Sequence, residues 1–304
     1  MGNKIVFCAC CEFGTKILKN LIKNKIEISY IISLLPEMAE KEKVSGYYDY
    51  RQLANEFGIP FYHPEKYSLK SQNDLTFFEI NKFDLLLTGG WQRLFPEKVL
   101  KTLSIGGIGL HGSSEFLPQG RGRSPINWSL IEGKKRFILH LFLMKPDADN
   151  GEVIDFQIFD INEFDDCNTL YYKIAIVSQQ MLVKNIPIIL MNEHTLIPQQ
   201  GEPTYYPKRT AKDGKIDWGR QVFDIYNFIR ALTKPYPGAF CLHNKLKGFI
   251  WKAQIFDTRI TYYKAKTGEV VEVFESGDFV INCNSGLLLV TDADFNPSIG
   301  DLLA

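Results

Sequence analysis

Short apolar segments alternate with amphipathic helical segments along the first two-thirds of the chain. Lys4–Cys8, Ile26–Leu34 and Asp84–Thr88 have the composition of buried strands, and Gly14–Lys25 has the apolar spacing of a helix. Strands that are apolar on both faces are typical of a parallel sheet that helices cover on both sides. The alternation therefore predicts an α/β domain with a mostly parallel sheet and helices on both faces.

The pattern changes after a linker rich in Pro, Gln and Gly at residues 197–203. One predicted helix, Gln221–Leu232, precedes four short strands that are separated by turn residues: Gly248–Ile255, Gly268–Phe274, Gly277–Cys283 and Gly286–Val290. Short strands with regular turn signals favour a small β-barrel or sandwich. A chain of 304 residues is also long for one domain, so we predict two domains, residues 1–200 and 201–304.

Charge and cysteine content narrow the class of protein. Lysine plus arginine equals aspartate plus glutamate at 35 each, which argues against a dedicated nucleic-acid or membrane-surface binder. The six cysteines form no CxxC pair and are typical of free cytosolic thiols. The N-terminus lacks the apolar stretch of a signal peptide, and no run of about 18 apolar residues occurs. We expect a cytoplasmic protein with no metal and no membrane partner.

His111 is the strongest candidate for a reacting side chain. It follows the predicted strand Ile105–Leu110 and enters a glycine-rich, basic loop, and the acidic loop Asp147–Gly151 lies downstream. An imidazole at such a strand end suits proton transfer, and a nearby carboxylate can fix its tautomer and support its charged form. Ligands of open α/β sheets bind beyond the carboxyl ends of strands, so we expect four loops to meet there: Ala9–Gly14, Gly89–Arg93, His111–Arg123 and Lys145–Gly151. The pairing of the His111 imidazole with a nearby carboxylate suits group transfer to an amine.

Three residues in these segments have simpler interpretations: His111, Asp149 and His140. An isolated His111 would be an ordinary loop histidine, and Asp149 lies in an Asp-Asn-Gly turn, so only their pairing favours catalysis. His140 lies within the apolar segment Phe137–Met144, where we expect a structural role.

The segment His111–Trp128, which reads HGSSEFLPQGRGRSPINW, resembles the signature of the formyltransferase family that uses 10-formyltetrahydrofolate. The similarity continues at Asp149–Ile154, and at Asp213–Trp218 and Ile225–Phe240 in the second domain. The latter stretch is similar to the C-terminal domain of methionyl-tRNA and nucleotide-sugar formyltransferases. The resemblance implies a Rossmann-like catalytic domain, a C-terminal OB-like domain, and 10-formyltetrahydrofolate as co-substrate without a metal.

The resemblance also implies a catalytic trio, Asn-x-His with a distant Asp. His111 and Asp149 match two of the three positions, but Gly109 stands where the family has asparagine, so it has a backbone role at most. The family's amide steadies a developing oxyanion, and losing one such donor costs about 3–4 kcal/mol in a protease precedent. Loop N–H groups, a water or Asn127 are the candidate replacements. If only the amide is missing, Gly109→Asn should be tolerated or raise the rate, whereas total loss would mean that glycine is sterically required.

The binding residues that the resemblance implies fall into two sets. The folate set is Gly90, Trp91, Gln92, Arg93, Leu94, Asp147 and Asp149. The amine-substrate set is Cys10, Cys11, Glu12, Phe13, Ser113, Ser114, Gly120, Arg121, Gly122 and Arg123. Each set also has simpler interpretations. Trp91 is then a core aromatic residue, and the two cysteines are small apolar residues that fill space in the core. Arg121 and Arg123 are then solvated loop residues.

The loop sequences around His111 resemble the sugar enzymes more than the tRNA enzymes. Binding a tRNA acceptor stem needs several phosphate contacts, and this chain has no net charge. We therefore expect formyl transfer to the amino group of a nucleotide-linked amino-deoxy sugar, such as a UDP-4-amino sugar for surface polysaccharide or nonulosonic acid synthesis. The expected partners are that nucleotide sugar and folate, with no nucleic acid, and a homodimer stays open. Two alternatives stay open: a methionyl-tRNA or other aminoacyl formyltransferase, and a folate-binding module without catalysis.

Overall fold

The computed structural model describes residues 3–304 and divides into two compact units. Unit 1 contains the residues up to Arg121, Ile138–Ile158 and Lys173–Thr204, and unit 2 contains Gly122–Phe137, Phe159–Tyr172 and Tyr205–Ala304. Each unit is therefore discontinuous in sequence, whereas the sequence predicted one boundary after residue 200.

The chain contains fourteen strands and eight α-helices within these described residues. The strands are β1 Ile5–Ala9, β2 Tyr30–Ile32, β3 Phe61–Tyr62, β4 Leu85–Gly89, β5 Gly106–Ser113, β6 Arg121–Gly122, β7 Arg136–Leu143, β8 Val153–Asp160, β9 Tyr205–Tyr206, β10 Ala239–His243, β11 Leu246–Asp257, β12 Val270–Val273, β13 Phe279–Cys283 and β14 Gly286–Ala293. The helices are α1 Glu12–Lys23, α2 Pro36–Lys41, α3 Arg51–Phe57, α4 Gln72–Asn81, α5 Glu97–Leu100, α6 Pro125–Ile131, α7 Cys167–Leu190 and α8 Val222–Leu232, with a 3-10 turn at Ala211–Gly214.

The large sheet has seven strands in the order β3-β2-β1-β4-β5-β7-β8. The five strands from β3 to β5 are parallel, and β7 runs antiparallel to β5. All five residues of β1 are buried, because the strand has a neighbour at each edge and apolar side chains on both faces. The mostly parallel α/β sheet is confirmed, and its strand order reverses between β1 and β4, where ligands of such sheets bind.

Strand β5 extends further than the sequence predicted. The predicted strand ended at Leu110, but the ladder with β7 continues through His111, which pairs with His140, to Ser113. The prediction was wrong because glycine and serine do not end a strand whose backbone groups still find partners across the ladder. His111 therefore lies on a strand and not in a loop.

Unit 2 contains a five-stranded antiparallel sheet in the order β10-β11-β14-β13-β12. This small β domain confirms the predicted C-terminal architecture, although the sequence analysis missed β10. Helix α8 buries Val222, Ile225 and Ile229, which recur at helical spacing and form one apolar face. In the part of the chain that the structure describes, no helix has the length and apolar character to cross a membrane.

Candidate active site

His111 and Asp149 lie side by side in unit 1. Strand β5 carries His111, which is 8% exposed, and the turn between β7 and β8 carries Asp149. His111 Nδ1 lies 3.3 Å from Asp149 Oδ2. The structure thus brings together the imidazole and the carboxylate that the sequence pairs.

The second ring nitrogen of His111 also faces an oxygen atom. Nε2 lies 2.9 Å from the carbonyl oxygen of Gly120, in the glycine-rich loop. A neutral imidazole has one N–H and satisfies one of these two acceptors, whereas an imidazolium donates to both. Both oxygen atoms therefore receive a hydrogen bond only when each ring nitrogen carries a proton.

Gly109 lies on the same face of β5 as His111 and pairs with Phe142 on β7. A Cβ atom at Gly109 would lie 2.6 Å from the ring atom Cζ of Phe142, which is 5% exposed. The Phe142 ring thus covers the glycine, and an asparagine side chain has no room beside it. Phe142 carries no signal in the sequence, because only strand register shows which residue lies opposite Gly109.

Replacing Gly109 with asparagine should lower the unfolding free energy by about 1–3 kcal/mol and leave the rate no higher, since the new side chain collides with the Phe142 ring. Adding Phe142→Ala should relieve the collision. Urea unfolding and a formylation assay on both variants would measure this. A stable Gly109→Asn protein with a raised rate would show that space is not the constraint.

Asn127 lies in α6 of unit 2 and is buried. Its amide nitrogen donates to the carbonyl oxygen of Ala231 in α8, at 2.7 Å, while its amide oxygen has no partner. One of the two N–H donors of this amide is thus engaged within unit 2. This contact supports a structural role that links α6 to α8.

The loop after β4 carries the residues that the resemblance implies for folate. Gly90 has φ +85°, and a Cβ there would collide with the sulfur of Cys11. Trp91 is buried edge-on against Tyr67, 4.9 Å between ring centroids, and stacks on Phe95. Its indole nitrogen is buried and has no hydrogen-bond partner. The ring is therefore a core aromatic residue that still holds an unused donor.

The rest of this loop is held by neighbours from other segments of unit 1. The Gln92 backbone N–H donates to the Tyr67 hydroxyl at 2.9 Å, and Arg93 pairs with Glu42 at 3.1 Å. Leu94 is 60% exposed. A cavity of about 660 Å³ is lined by Arg93 and Tyr67, among others, and His111 is not in its lining. The sequence analysis missed Tyr67, which no motif singles out.

The first loop contains the cysteines that the resemblance places at the substrate. Cys10 Sγ lies 3.2 Å from both the Tyr67 hydroxyl and the Gly90 carbonyl oxygen. Burial raises the pKa of Cys11 to about 11, so its thiol stays protonated. Glu12 begins α1 and is exposed, and Phe13 is half-buried. These contacts favour packing for the two cysteines.

The glycine-rich loop is mostly buried. Ser113 and Ser114 are buried, and Ser113 accepts from the Glu115 backbone N–H at 3.2 Å. Arg121 is 7% exposed and donates to Gln199 through Nε at 3.2 Å. The remaining members, Gly122 and Arg123, fall in unit 2, where the Arg123 N–H donates to the Tyr206 carbonyl at 3.0 Å. Arg121 is therefore a buried residue with side-chain partners and not a solvated loop residue.

His140 is 1% exposed, as its apolar segment predicted, and its ring bridges two segments. Nδ1 lies 3.3 Å from the carbonyl oxygen of His111, and Nε2 accepts from the Leu117 N–H at 3.4 Å. Burial, with a smaller contribution from the nearby His111, lowers the pKa of His140 to about 4. This histidine is therefore neutral near pH 7.

The low pKa of His140 predicts acid sensitivity. As pH falls below about 6.5, the unfolded chain takes up this proton before the folded protein does, so stability is lost until about pH 4, by about 3 kcal/mol in total. Urea unfolding between pH 7 and 4 should be less pH-dependent in His140→Met. The exposed His63 supplies the control, His63→Gln. An unchanged pH dependence in His140→Met would assign the loss to other groups.

Among residues 3–304, no group of three or more His, Cys, Asp and Glu side chains is arranged to hold a metal ion.

Two family profiles match the chain. The formyl transferase profile covers residues 3–186, and the formyl transferase C-terminal domain covers residues 208–297. Because the first match alone spans more than half of the sequence, the chain belongs to the formyltransferase family.

Individual relatives agree with this assignment. The chain is 30% identical over 293 residues to the bifunctional polymyxin resistance protein ArnA of Wigglesworthia glossinidia brevipalpis, covering 96% of this chain and 43% of that protein. It is 27% identical to the methionyl-tRNA formyltransferase of Bacillus velezensis, covering 95% of this chain and 89% of that protein. The chain thus spans less than half of ArnA and most of the tRNA enzyme.

Solved structures share the fold. An N-formyltransferase from Helicobacter canadensis, solved with folinic acid and dTDP-3-aminofucose, has a TM-score of 0.68 at 18% identity, covering 96% of this chain and 99% of that one. The sugar 3N-formyl transferase WlaRD, solved with dTDP and 5-N-formyl-THF, has a TM-score of 0.69 at 18% identity, covering 97% and 98%. HypX of Aquifex aeolicus with tetrahydrofolic acid has a TM-score of 0.66 at 15% identity, and this chain covers 44% of it.

Proposed function

We propose that this protein transfers a formyl group from 10-formyltetrahydrofolate to the amino group of a nucleotide-linked amino sugar. The observation that carries the proposal is the contact between His111 Nδ1 and Asp149 Oδ2 at 3.3 Å. A base that is oriented by a carboxylate is what proton removal from an attacking amine requires. The two side chains lie near one end of the large sheet, and the chain belongs to a family that transfers formyl groups.

The residues after β4 fit a folate. Trp91 offers a buried indole N–H without a hydrogen-bond partner. We assign Gly90–Leu94, after β4, and Asp147 and Asp149, on the turn between β7 and β8, to folate binding. When bound, 10-formyltetrahydrofolate supplies the formyl carbon that the amine attacks.

Asp149 and His111 have different roles in the transfer. Asp149 accepts a hydrogen bond from His111 Nδ1–H and stabilises the imidazolium, and Nε2 accepts the amine proton. His111 then returns that proton to the folate nitrogen, which leaves as its bond to the formyl carbon breaks. In the structure Nε2 faces the Gly120 carbonyl, so the amine has to take the place of that carbonyl at Nε2. Since Nε2 must be unprotonated to accept, the rate should fall toward acid pH. Gly109 contributes no side chain, which leaves the oxyanion to backbone N–H groups or water.

Two observations support a sugar as the acceptor. The chain carries equal numbers of basic and acidic residues, which disfavours the several phosphate contacts of a tRNA. Two solved structures with this fold match nearly all of the chain: one is a sugar 3N-formyl transferase, and the other is an N-formyltransferase solved with dTDP-3-aminofucose. The UDP-4-amino sugar remains our first choice within this class. We also infer a cytoplasmic location, where folate and nucleotide sugars are available.

A second function, methionyl-tRNA formylation, is favoured by one observation, the full-length similarity to the Bacillus velezensis enzyme. The test is incubation with 10-formyltetrahydrofolate and UDP- or dTDP-amino sugars, or with methionyl-tRNA, followed by mass spectrometry. We expect a formylated nucleotide sugar without tRNA. Formyl-methionyl-tRNA alone would establish the second function, and folate binding without turnover would identify a non-catalytic module.

A further inference from the structure

Gln199 lies in the linker that the sequence analysis described by composition alone, and its side chain reaches the turn that carries Asp149. Its amide nitrogen donates to the carbonyl oxygens of Asp149, at 2.9 Å, and Gly151, at 2.7 Å. Its amide oxygen accepts from Arg121 Nε at 3.2 Å and also from Arg121 Nη2. A glutamine amide has two N–H donors and two lone pairs, so these four bonds use its whole capacity.

The turn needs such support. Asp149 has φ +52° and Asp147 has φ +78°. This left-handed backbone conformation is uncommon for residues other than glycine. A Cβ at Gly151 would collide with the carbonyl oxygen of Leu143, so the turn lies tight against the end of β7. Two bonds from one NH₂ group hold the backbone on both sides of Asn150 in this conformation.

Arg121 sets the orientation of the amide. Its buried guanidinium only donates hydrogen bonds, so the glutamine oxygen faces Arg121 and the NH₂ group faces the turn. Arg121 Nη2 also lies 3.4 Å from Asn150 Oδ1 on the same turn. A glutamate at position 199 would keep Arg121 as a partner but offer no donor to the two carbonyls.

The backbone brings Gln199 to this position. Ile197 forms a bridge with Val153 at the start of β8, with N–H to carbonyl distances of 2.8 and 2.9 Å in the two directions. Gln199 follows two residues later, so its side chain points to the turn that precedes β8.

We propose that Gln199 is a positioning residue that holds Asp149 against His111. It touches no reacting atom and acts only through the turn. The inference rests on the proposed function insofar as the pair is catalytic, but the geometry can be tested without any substrate.

The direct test is NMR of the His111 ring in the protein alone, at pH 7. Asp149 is the carboxylate that faces this ring, and the neighbouring His140 is neutral near pH 7. Gln199→Met removes both donors without adding charge, so the Asp149 carboxylate moves away from the His111 ring. We expect the His111 ring resonances to shift in the same direction as in Asp149→Asn. Gln200→Met, at an exposed neighbour, is the matched control and should leave these resonances unchanged.

The kinetic test uses a double-mutant cycle. Gln199→Met should lower kcat/KM about 10- to 100-fold and move the acid limb of the pH profile to lower pH. In the Asp149→Asn background it should cost little more, because both changes act on one carboxylate. Gln199→Glu, which keeps the Arg121 contact, should also lower kcat/KM and serves if Gln199→Met fails to fold.

The outcomes separate the two proposals. Unchanged His111 ring resonances in Gln199→Met, or full additivity with Asp149→Asn, would overturn the positioning role. Shifted His111 resonances in a protein that formylates none of the offered amines would support the positioning role and count against the proposed function.

Discussion

Replacing His111 with glutamine should lower kcat for formyl transfer by about 10²- to 10⁴-fold, since the variant has no base to accept the amine proton. Glutamine is close in size and retains polar contacts on β5, so the fold should persist. Formylated product measured by mass spectrometry, together with the thermal unfolding midpoint, would check both statements.

His243, which lies on β10 in unit 2, supplies the matched control for activity in this experiment, His243→Gln. A near-normal rate in His111→Gln would remove the imidazole from the mechanism and, with it, our interpretation of the Asp149 contact.

Replacing Asp149 with asparagine should lower kcat/KM by about 10²- to 10⁴-fold, as expected when a histidine loses the carboxylate that fixes its tautomer. The protonated imidazole also loses its anionic neighbour, so the acid limb of the pH–rate profile should move to lower pH. Measuring kcat/KM between pH 5 and 9 tests both effects.

Asp292→Asn removes one exposed carboxylate from unit 2 and should leave the profile unchanged. The double variant His111→Gln/Asp149→Asn should be little slower than His111→Gln, because the two residues act as one unit. A profile that keeps its acid limb in Asp149→Asn would contradict the proposed pairing.

Residue periodicity predicted the sheet because apolar strands and amphipathic helices are local properties of the chain. The segment Asp84–Thr88 was predicted as a strand from its composition, and β4 Leu85–Gly89 occupies it. Strand ends were less predictable: β2 is only Tyr30–Ile32, shorter than the predicted Ile26–Leu34. A strand ends where its backbone partners end, and local composition does not report where they lie.

The same distinction applies to the candidate site. The resemblance to the formyltransferase family was enough to pair His111 with Asp149, and the structure places them in contact. It was not enough to explain Gly109, because the Phe142 ring that fills its space belongs to a different strand. It also gave Gln199 no role, since a glutamine in a polar linker has no distinguishing pattern.

The sequence by itself determined the class of fold and the family, and it predicted the pairing of His111 with Asp149, because these depend on periodicity and on motifs within short segments. Only the tertiary structure decided that Phe142 covers Gly109 and that Gln199 and Arg121 support the Asp149 turn. These contacts join residues far apart in the chain, and their geometry depends on strand register and backbone conformation, which exist only once the chain has folded.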